Sequence, residues 1–305
     1  MWKIRSILLF FFLSLTLCFG KTQNQKIVAF AQDTMANDFR KAQVYEVRDA
    51  LLPYAYIKFV YSDAEGRTSL LIKQIEKFID QKVDLLIIGT NDADAVVPVV
   101  SKAYKNGIPV IILDRGINGD DYTTFINSDN MKIGRLGAQY IAKELQGKGR
   151  VLLFEGLPKA DVTKLRSQGF LEELKKYKQI KVIKRTGNYL RRDAIIEMEK
   201  LIKEGIKVDA IFSESDSMLS GVRSALKHYN IDPSSIIMVG CDYTSEAQKA
   251  IIEGSQSGSV LFPLAGKQAA QTAIAILNKQ SVSKRIVIPV QLITSDLARE
   301  VPPVF

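Results

Sequence analysis

The chain has 305 residues, with 42 basic and 33 acidic side chains, a formal net charge of +9, two cysteines and one histidine. Its content of 47% hydrophobic and 25% charged residues is that of an ordinary globular protein, which excludes a disulfide-stapled miniprotein, a disordered chain and a membrane protein with many spans. The basic excess leaves a nucleic-acid or membrane partner open at this point.

The first twenty residues differ from the rest of the chain. Two basic residues precede an apolar run from Ile7 to Leu17, and Cys18-Phe19-Gly20 places small residues at the positions before a cut after Gly20. This order is typical of a secretory signal peptide over residues 1–20. The run is shorter than the ~20 residues of a membrane-spanning helix, and the bulky residue before Cys18 argues against a lipid anchor there.

Loss of this peptide would change the counts. The net charge falls from +9 to +7 because Lys3 and Arg5 leave, and Cys241 remains as a single cysteine that cannot form an intramolecular disulfide. We therefore expect an exported, periplasmic protein whose stability comes from burying a core.

From Ile27 the chain alternates short apolar runs with helical stretches. The runs are rich in Ile and Val without strict alternation, which predicts strands buried on both faces. The first four are Ile27–Ala31, Ala55–Tyr61, Val83–Ile88 and Val110–Leu113. Between the second and third, Leu71, Ile75, Phe78 and Ile79 lie at helical spacing and predict an amphipathic helix.

The alternation then repeats. Further strands are predicted at Val151–Phe154, Ile180–Lys184, Ala210–Ser213 and Ile236–Gly240, and helices around Val162–Leu174, Ala194–Lys203, Ser217–Leu226 and Ser245–Ile252. Such alternation predicts right-handed crossovers and parallel sheets. About nine strand–helix units are too many for one doubly wound sheet of five or six strands, so we expect an α/β protein with two Rossmann-like domains.

Signals for catalysis are few. The Rossmann G-x-G-x-x-G, the P-loop and the G-x-S-x-G elbow are absent from the sequence. The single histidine, His228, lacks the partners that a zinc site needs and is interpreted as exposed or capping. We expect no enzyme activity, no metal and no cofactor. The basic residues between 175 and 185 are interpreted as a solvated face, not as a nucleic-acid contact.

Polar and aromatic residues follow the predicted strands at four places. They are Asn37, Asp38, Phe39 and Arg40; Asp114 and Arg115; Arg166; and Cys241 and Asp242. In open α/β sheets, ligands bind at the carboxyl ends of the strands. Arginines and carboxylates satisfy sugar hydroxyls through charge-assisted hydrogen bonds, and aromatic rings stack on sugar C–H faces. The sequence therefore predicts a sugar-binding cleft.

The motifs resemble type 1 periplasmic binding proteins, specifically the branch that contains ribose-binding protein. They occur in the same order and spacing, as Gly107–Arg115, Asn127–Asn130 with Gly134, Arg166–Phe170, Ser215–Met218 with Gly221, and Val239–Asp242. The resemblance covers Ile27 to about Leu292. The stretch from Val28 to Phe39-Arg40 is closer to the galactofuranose-binding subgroup, which has an aromatic residue followed by Arg at this point.

The resemblance implies a set of ligand-binding residues. They are Asn37, Phe39, Arg40, Asp114, Arg115, Arg166, Tyr189, Ser215, Asp242 and Phe262. Phe39 would stack on the sugar and Arg40 would reach its hydroxyls. Ser215 stands where the family usually has Asn, and Phe262 stands near the Gln of ribose binders. These departures argue against ribose and leave open another furanose or pyranose, a deoxy sugar or a signalling molecule.

The resemblance also implies two interleaved domains joined by a three-strand hinge. The chain would cross near Ser128, near Phe262-Pro263 and near Val290. The expected division is 21–128 plus 263–290 for the first domain and 129–262 plus 291–305 for the second. Closure about the hinge on a ligand held by both domains would be the mechanism.

Three functions compete on this fold, since fold does not fix function. The first is a monomeric solute-binding protein that delivers a sugar to an inner-membrane ABC permease. The second is a periplasmic sensor that signals occupancy to a histidine kinase or chemoreceptor. A LacI-type repressor shares the core but needs an N-terminal DNA-binding domain of some sixty residues where the predicted signal peptide stands, so no nucleic-acid partner is expected.

Overall fold

The computed structural model describes residues 25–305, and the predicted signal peptide at residues 1–20 lies outside these described residues. The strands are β1 (Lys26–Gln32), β2 (Ile57–Asp63), β3 (Leu85–Gly89), β4 (Val110–Leu113), β5 (Thr124–Ser128), β6 (Lys148–Glu155), β7 (Gln179–Thr186), β8 (Ala210–Ser213), β9 (Ile237–Asp242), β10 (Gly258–Leu261), β11 (Arg285–Ile288) and β12 (Gln291–Thr294). The helices are α1 (Asp38–Leu51), α2 (Thr68–Asp80), α3 (Val97–Lys105), α4 (Asn130–Glu144), α5 (Asp161–Leu174), α6 (Arg191–Lys203), α7 (Asp216–His228), α8 (Ser245–Ile252) and α9 (Gly266–Leu277).

The strands form two six-stranded sheets. The first has the order β11-β5-β4-β3-β1-β2 and the second the order β12-β10-β9-β8-β6-β7. The first sheet with α1, α2, α3 and α9 packed on it is called the first lobe, and the second sheet with α4 to α8 the second lobe. The prediction of two doubly wound, largely parallel α/β units is confirmed.

The composition of the central strands explains why they form. Every residue of β3, β4 and β8 is buried, because helices cover both faces of each sheet. The predicted apolar stripe of α2 is its buried face, with Leu71 and Ile75 fully inside. Strands β4 and β8 and helix α8 have the predicted bounds.

One strand departs from the parallel pattern. β12 pairs antiparallel with β10, whereas the other strand pairs are parallel. The reason is the short connection through Pro289 and Val290. The chain leaves β11 at the carboxyl edge of the first sheet and enters the second sheet at the carboxyl edge of that sheet, which faces the first. β12 therefore runs opposite to its neighbour β10.

The chain passes between the lobes three times. These passages lie between β5 and α4, between β10 and α9, and between β11 and β12. The carboxyl ends of the parallel strands of both sheets consequently face each other. Among residues 25–305 no helix has both the length and the apolar content to cross a membrane.

Candidate functional site

A small cavity lies between the lobes, where the carboxyl ends of the two sheets face each other. It is lined by Asn37, Phe39, Arg40, Asp114, Arg115, Val162, Arg166, Tyr189, Ser215, Asp242 and Phe262. The structure thus brings together all ten side chains that the sequence singled out, with Val162 in addition.

The first turn of α1 supplies three of the lining residues. Asn37 caps the helix, because its Oδ1 accepts a hydrogen bond from the backbone N–H of Arg40 at 3.1 Å. Its Nδ2 donates to the carbonyl oxygen of Tyr189, 2.8 Å away in the second lobe. Asn37 therefore fixes the start of α1 and joins the lobes with one side chain.

Two buried ion pairs form the first-lobe wall. Arg40 pairs with Asp114, and Arg115 Nη1 lies 2.8 Å from Asp33 Oδ2, with all four side chains less than 5% exposed. Burial opposes the charge on Arg40, but Asp114 and Asp33 outweigh it and raise the pKa of the guanidinium. Burial and the neighbouring Arg40 lower the pKa of Arg115.

Each pair leaves polar atoms unused. Asp114 Oδ1, Arg115 Nε and Asp33 Oδ1 are buried and find no hydrogen-bond partner within the described residues. Buried polar groups are normally satisfied, so such atoms in a cavity wall mark positions where a ligand can complete the bonding. Asp114 and Arg115 line the cavity, so its first-lobe side offers a free carboxylate acceptor and a free guanidinium donor.

The second-lobe wall is built around Arg166. Its Nε donates to Asn130 Oδ1 at 2.9 Å and its Nη1 to the carbonyl oxygen of Glu214 at 2.6 Å, which fixes the plane of the guanidinium. Asp242, the last residue of β9, lies on the same wall. Burial raises the pKa of Asp242 well above its usual range, against the opposing effect of Arg166.

Aromatic rings close the cavity. Phe39 stacks on Phe262 with ring centroids 5.1 Å apart and an interplanar angle of 22°. Arg166 lies over Phe262 and Arg115 over Tyr189, with guanidinium carbons 4.6 and 5.2 Å from the ring centroids. The ring that the resemblance assigns to sugar stacking is thus itself stacked on a ring near the hinge.

A buried carboxyl group supports Tyr189 from behind. The Tyr189 hydroxyl lies 2.7 Å from Thr163 Oγ1 and 3.3 Å from Glu214 Oε2. Ser167 Oγ lies 2.7 Å from Glu155 and 2.9 Å from Glu214, but its one proton can serve only one carboxylate at a time. Burial raises the pKa of Glu214 to about 7, so the Glu214 carboxyl group can itself carry a proton and donate to one neighbour while the Ser167 hydroxyl donates to Glu155.

Three lining residues have an unusual backbone conformation. Asp114, Tyr189 and Asp242 have φ of +67°, +61° and +113°. Non-glycine residues with positive φ are uncommon and cluster at functional sites, where the surrounding structure holds them. The backbone at these three positions is shaped to aim side chains into one cavity.

Three residues in or beside the site, Val162, Asp33 and Glu214, were not expected from the sequence. Val162 is apolar and carries no chemical signal. Asp33 and Glu214 directly follow β1 and β8, so the rule that found Asp114 could have found them.

Ser215 lines the cavity, yet its Oγ also caps α7 by accepting a hydrogen bond from the backbone N–H of Met218 at 3.2 Å.

His228 and the basic segment lie outside this site. His228 is exposed at the end of α7 with its ring against Tyr229, the centroids being 5.2 Å apart. No group of three potential metal ligands occurs in the part of the chain that the structure describes. The side chains of Lys175, Lys176 and Lys178 are exposed.

A family model described as a periplasmic binding protein domain matches residues 28–281. The chain belongs to the periplasmic binding protein family. The family consists of solute-binding proteins rather than enzymes, and the predicted ribose/galactofuranose-like branch is confirmed by the relatives.

Two curated relatives and one solved structure illustrate the likeness. The ribose import binding protein RbsB of Bacillus subtilis is 31% identical over 240 residues, covering 78% of this chain and 77% of its own length. The galactofuranose-binding protein YtfQ of Escherichia coli is 30% identical over 208 residues, covering 65% of each. The fructose-binding periplasmic domain of a hybrid two-component system has 29% identity and a TM-score of 0.83, covering 90% of this chain and 92% of that one.

Proposed function

We propose that this protein captures one small, neutral sugar in the interlobe cavity and delivers it to an ABC importer. The observation that carries the proposal is the unsatisfied pair of cavity atoms, Asp114 Oδ1 and Arg115 Nε, facing a wall built by Arg166 and Asp242. The relatives named for ribose import and for galactofuranose binding support a sugar as the ligand class.

The chemistry of a sugar fits this wall. Each hydroxyl both donates and accepts, so it can donate to Asp114 Oδ1 while it accepts from Arg115 Nε. The apolar rings of Phe39 and Phe262 and the side chain of Val162 lie beside the C–H faces. The ten lining residues predicted from the sequence are proposed as the binding residues.

Ligand identity is narrowed by two departures from the ribose-binding pattern. Ser215 is short and already occupied as the cap of α7, so it reaches a ligand less well than an amide would. Phe262 replaces a polar contact with an apolar one and packs under Arg166. A furanose or deoxy sugar other than ribose suits this cavity better than ribose.

Hinge closure is the proposed mechanism. The lobes meet through Asn37 and Tyr189, through Lys159 and Asp92 at 3.0 Å, and through the Gly116 N–H that donates to Asp161 at 2.8 Å. A ligand touched by both walls favours this closed arrangement. The three passages of the chain support domains of 21–128 plus 263–290 and 129–262 plus 291–305 as the moving units.

Export and delivery complete the proposal. The family is periplasmic, and the pattern at residues 1–20 supports removal of a signal peptide before the protein acts. The closed protein is proposed to work as a monomer that an inner-membrane permease recognises.

A second candidate is a sensor that reports ligand occupancy to a membrane kinase. The observation that favours it is the likeness to the fructose-binding periplasmic domain of a hybrid two-component system. The two roles share the same cavity and closure and differ in the membrane partner. If this protein co-purifies from native membranes with a permease and not with a kinase, the result supports the import role over the sensor role.

Thermal unfolding against a panel of monosaccharides tests the proposal. A ligand that binds only the folded state at 100 times its Kd adds about 2.7 kcal/mol of stability, which raises the melting temperature by several degrees. The panel should include D-ribose, L-arabinose, D-galactose, D-fucose and myo-inositol. A melting temperature that no sugar or polyol changes would remove the basis for a sugar ligand.

A further inference from the structure

The segment after β12 returns to the second lobe beside the ligand cavity and is anchored there. Val304 N–H donates to the carbonyl oxygen of Tyr243 at 2.9 Å, and the backbone N–H and hydroxyl of Ser245 both donate to the carbonyl oxygen of Phe305 at 2.7 Å. Tyr243 directly follows Asp242 of the cavity wall. Residues 304 and 305 are therefore fixed to the second lobe beside the site.

A second set of contacts holds the same segment further back. The hydroxyl of the fully buried Tyr243 lies 3.1 and 2.9 Å from the carbonyl oxygens of Ala298 and Val301. The side-chain amide of Gln248 donates to these two carbonyls at 2.8 and 3.1 Å. Two side chains thus fix the path by which the segment reaches the cavity.

The side chain of Phe305 points across the lobe boundary. Its ring meets that of Phe39 edge-to-face, with centroids 6.0 Å apart and an angle of 74°. Phe39 belongs to α1 of the first lobe and lines the cavity, whereas Phe305 does not line it. Since Phe39 also stacks on Phe262, two rings from outside α1 set its position.

We propose that Phe305 is a positioning residue for the ligand cavity, which holds the Phe39 ring in place and ties the first turn of α1 to the second lobe. The consequence for ligand affinity rests on the proposed sugar-binding function, but the positioning itself does not. Edge-to-face aromatic pairs are attractive beyond their burial, and their loss corresponds to roughly a two- to tenfold change in an equilibrium.

The first test needs no ligand. Hydrogen exchange of the ligand-free protein is followed at the amides of Arg40 and Lys41, which donate to Asn37 at the start of α1. Phe305→Ala should speed this exchange roughly two- to tenfold, because the local opening becomes easier. Phe305→Tyr keeps the ring and should restore the wild-type rate. Tyr229→Ala removes a half-buried aromatic ring elsewhere in the second lobe and should leave these amides unchanged.

The second test uses the monosaccharide from the named panel that stabilises the wild type most. Phe305→Ala should weaken its Kd roughly two- to tenfold through faster dissociation, with Phe305→Tyr close to wild type. A purely structural role would lower the melting temperature of the ligand-free variant and leave Kd unchanged, which overturns the inference. Unchanged exchange at Arg40 and Lys41 overturns it as well, whatever the sugar panel shows. A wild type that no sugar stabilises contradicts the proposed function, and the exchange result then decides the positioning role alone.

Discussion

Asp114→Asn is the substitution that tests the cavity most directly. Asp114 is 2% exposed, pairs with Arg40 through one oxygen and leaves the other oxygen without a partner. Asparagine has the same shape and tolerates the positive φ of +67° found here, so the backbone is retained. The substitution removes the carboxylate charge and replaces one acceptor oxygen by an NH2 donor.

The magnitude follows from these contacts. A hydrogen bond from a ligand hydroxyl to a carboxylate contributes about 1.5–3 kcal/mol, so its loss should weaken Kd by roughly 10- to 150-fold. Removing one partner of a buried ion pair also costs up to about 3–5 kcal/mol of folding stability. That cost is reduced here, since Arg40 keeps a hydrogen bond to Gln43 Oε1 at 3.1 Å.

Isothermal titration calorimetry with the best monosaccharide of the panel measures the first effect, and the ligand-free melting temperature measures the second. Asp296→Asn, the same change at an exposed position of the second lobe, is the control and should alter neither. A variant at Asp114 that still binds within twofold of the wild type would show that Asp114 does not contact the ligand.

Four further substitutions have defined outcomes. Burial raises the pKa of Glu214 from 4.5 to about 7, so the stability it contributes is full below the unfolded-state pKa and is lost as the pH rises through about 7. The melting temperature of the wild type should therefore fall between pH 5 and pH 7.5, and Glu214→Gln should make this fall smaller. Asn37→Ala should cost about 0.5–2 kcal/mol in a denaturant titration and weaken sugar binding, because it removes both a helix cap and an interlobe bond. Gly134→Ala should destabilise the second lobe by about 1–3 kcal/mol or more in the same titration, because the new Cβ would lie 2.1 Å from the carbonyl oxygen of Arg166. Gly221→Ala should have a similar effect, because its Cβ would lie 2.4 Å from the carbonyl oxygen of Arg191.

The central strands could be predicted because their sequences leave few alternatives. Val110–Leu113 and Ala210–Ser213 are uninterrupted apolar runs between turn signals, and the structure gives them these bounds. β6 begins at Lys148, three residues before its predicted start at Val151. The apolar pattern missed these three residues because Lys148 and Arg150 are exposed and Gly149 is only partly buried. Burial on both faces, not strand formation itself, is what the sequence pattern detects.

The strands near the lobe boundary could not be predicted. β5, β10, β11 and β12 are four or five residues long and carry polar side chains. They are strands because a neighbour pairs with them: Arg285–Ile288 with β5 and Gln291–Thr294 with β10. Tertiary pairing outweighs local preference at such positions. The reversed direction of β12 follows from the hinge connection, which no local pattern encodes.

The site illustrates the same limit. Residues at or just after the end of a strand, such as Asp114 and Asp242, could be assigned from the sequence alone to the carboxyl edge of a sheet. Tyr189 and Phe262 came only from the family resemblance, because neither lies where a periodic pattern marks a ligand edge. Neither the strand-end rule nor the family resemblance identified Phe305, because its contact with Phe39 joins residues that are far apart in the sequence.

The net charge of +9 says little about the ligand, and the cavity says more. Its three arginines, Arg40, Arg115 and Arg166, face three carboxyl groups, Asp33, Asp114 and Asp242, so the basic excess of the chain is not concentrated there. An anionic ligand would compete with Asp33 and Asp114 for the guanidinium donors and leave these carboxylates buried without partners, at a cost of several kcal/mol per unpaired charge. A neutral ligand with several hydroxyls keeps both ion pairs and adds bonds to the atoms that lack them. Sugar acids such as D-galacturonate should therefore bind this cavity far more weakly than the corresponding neutral sugars.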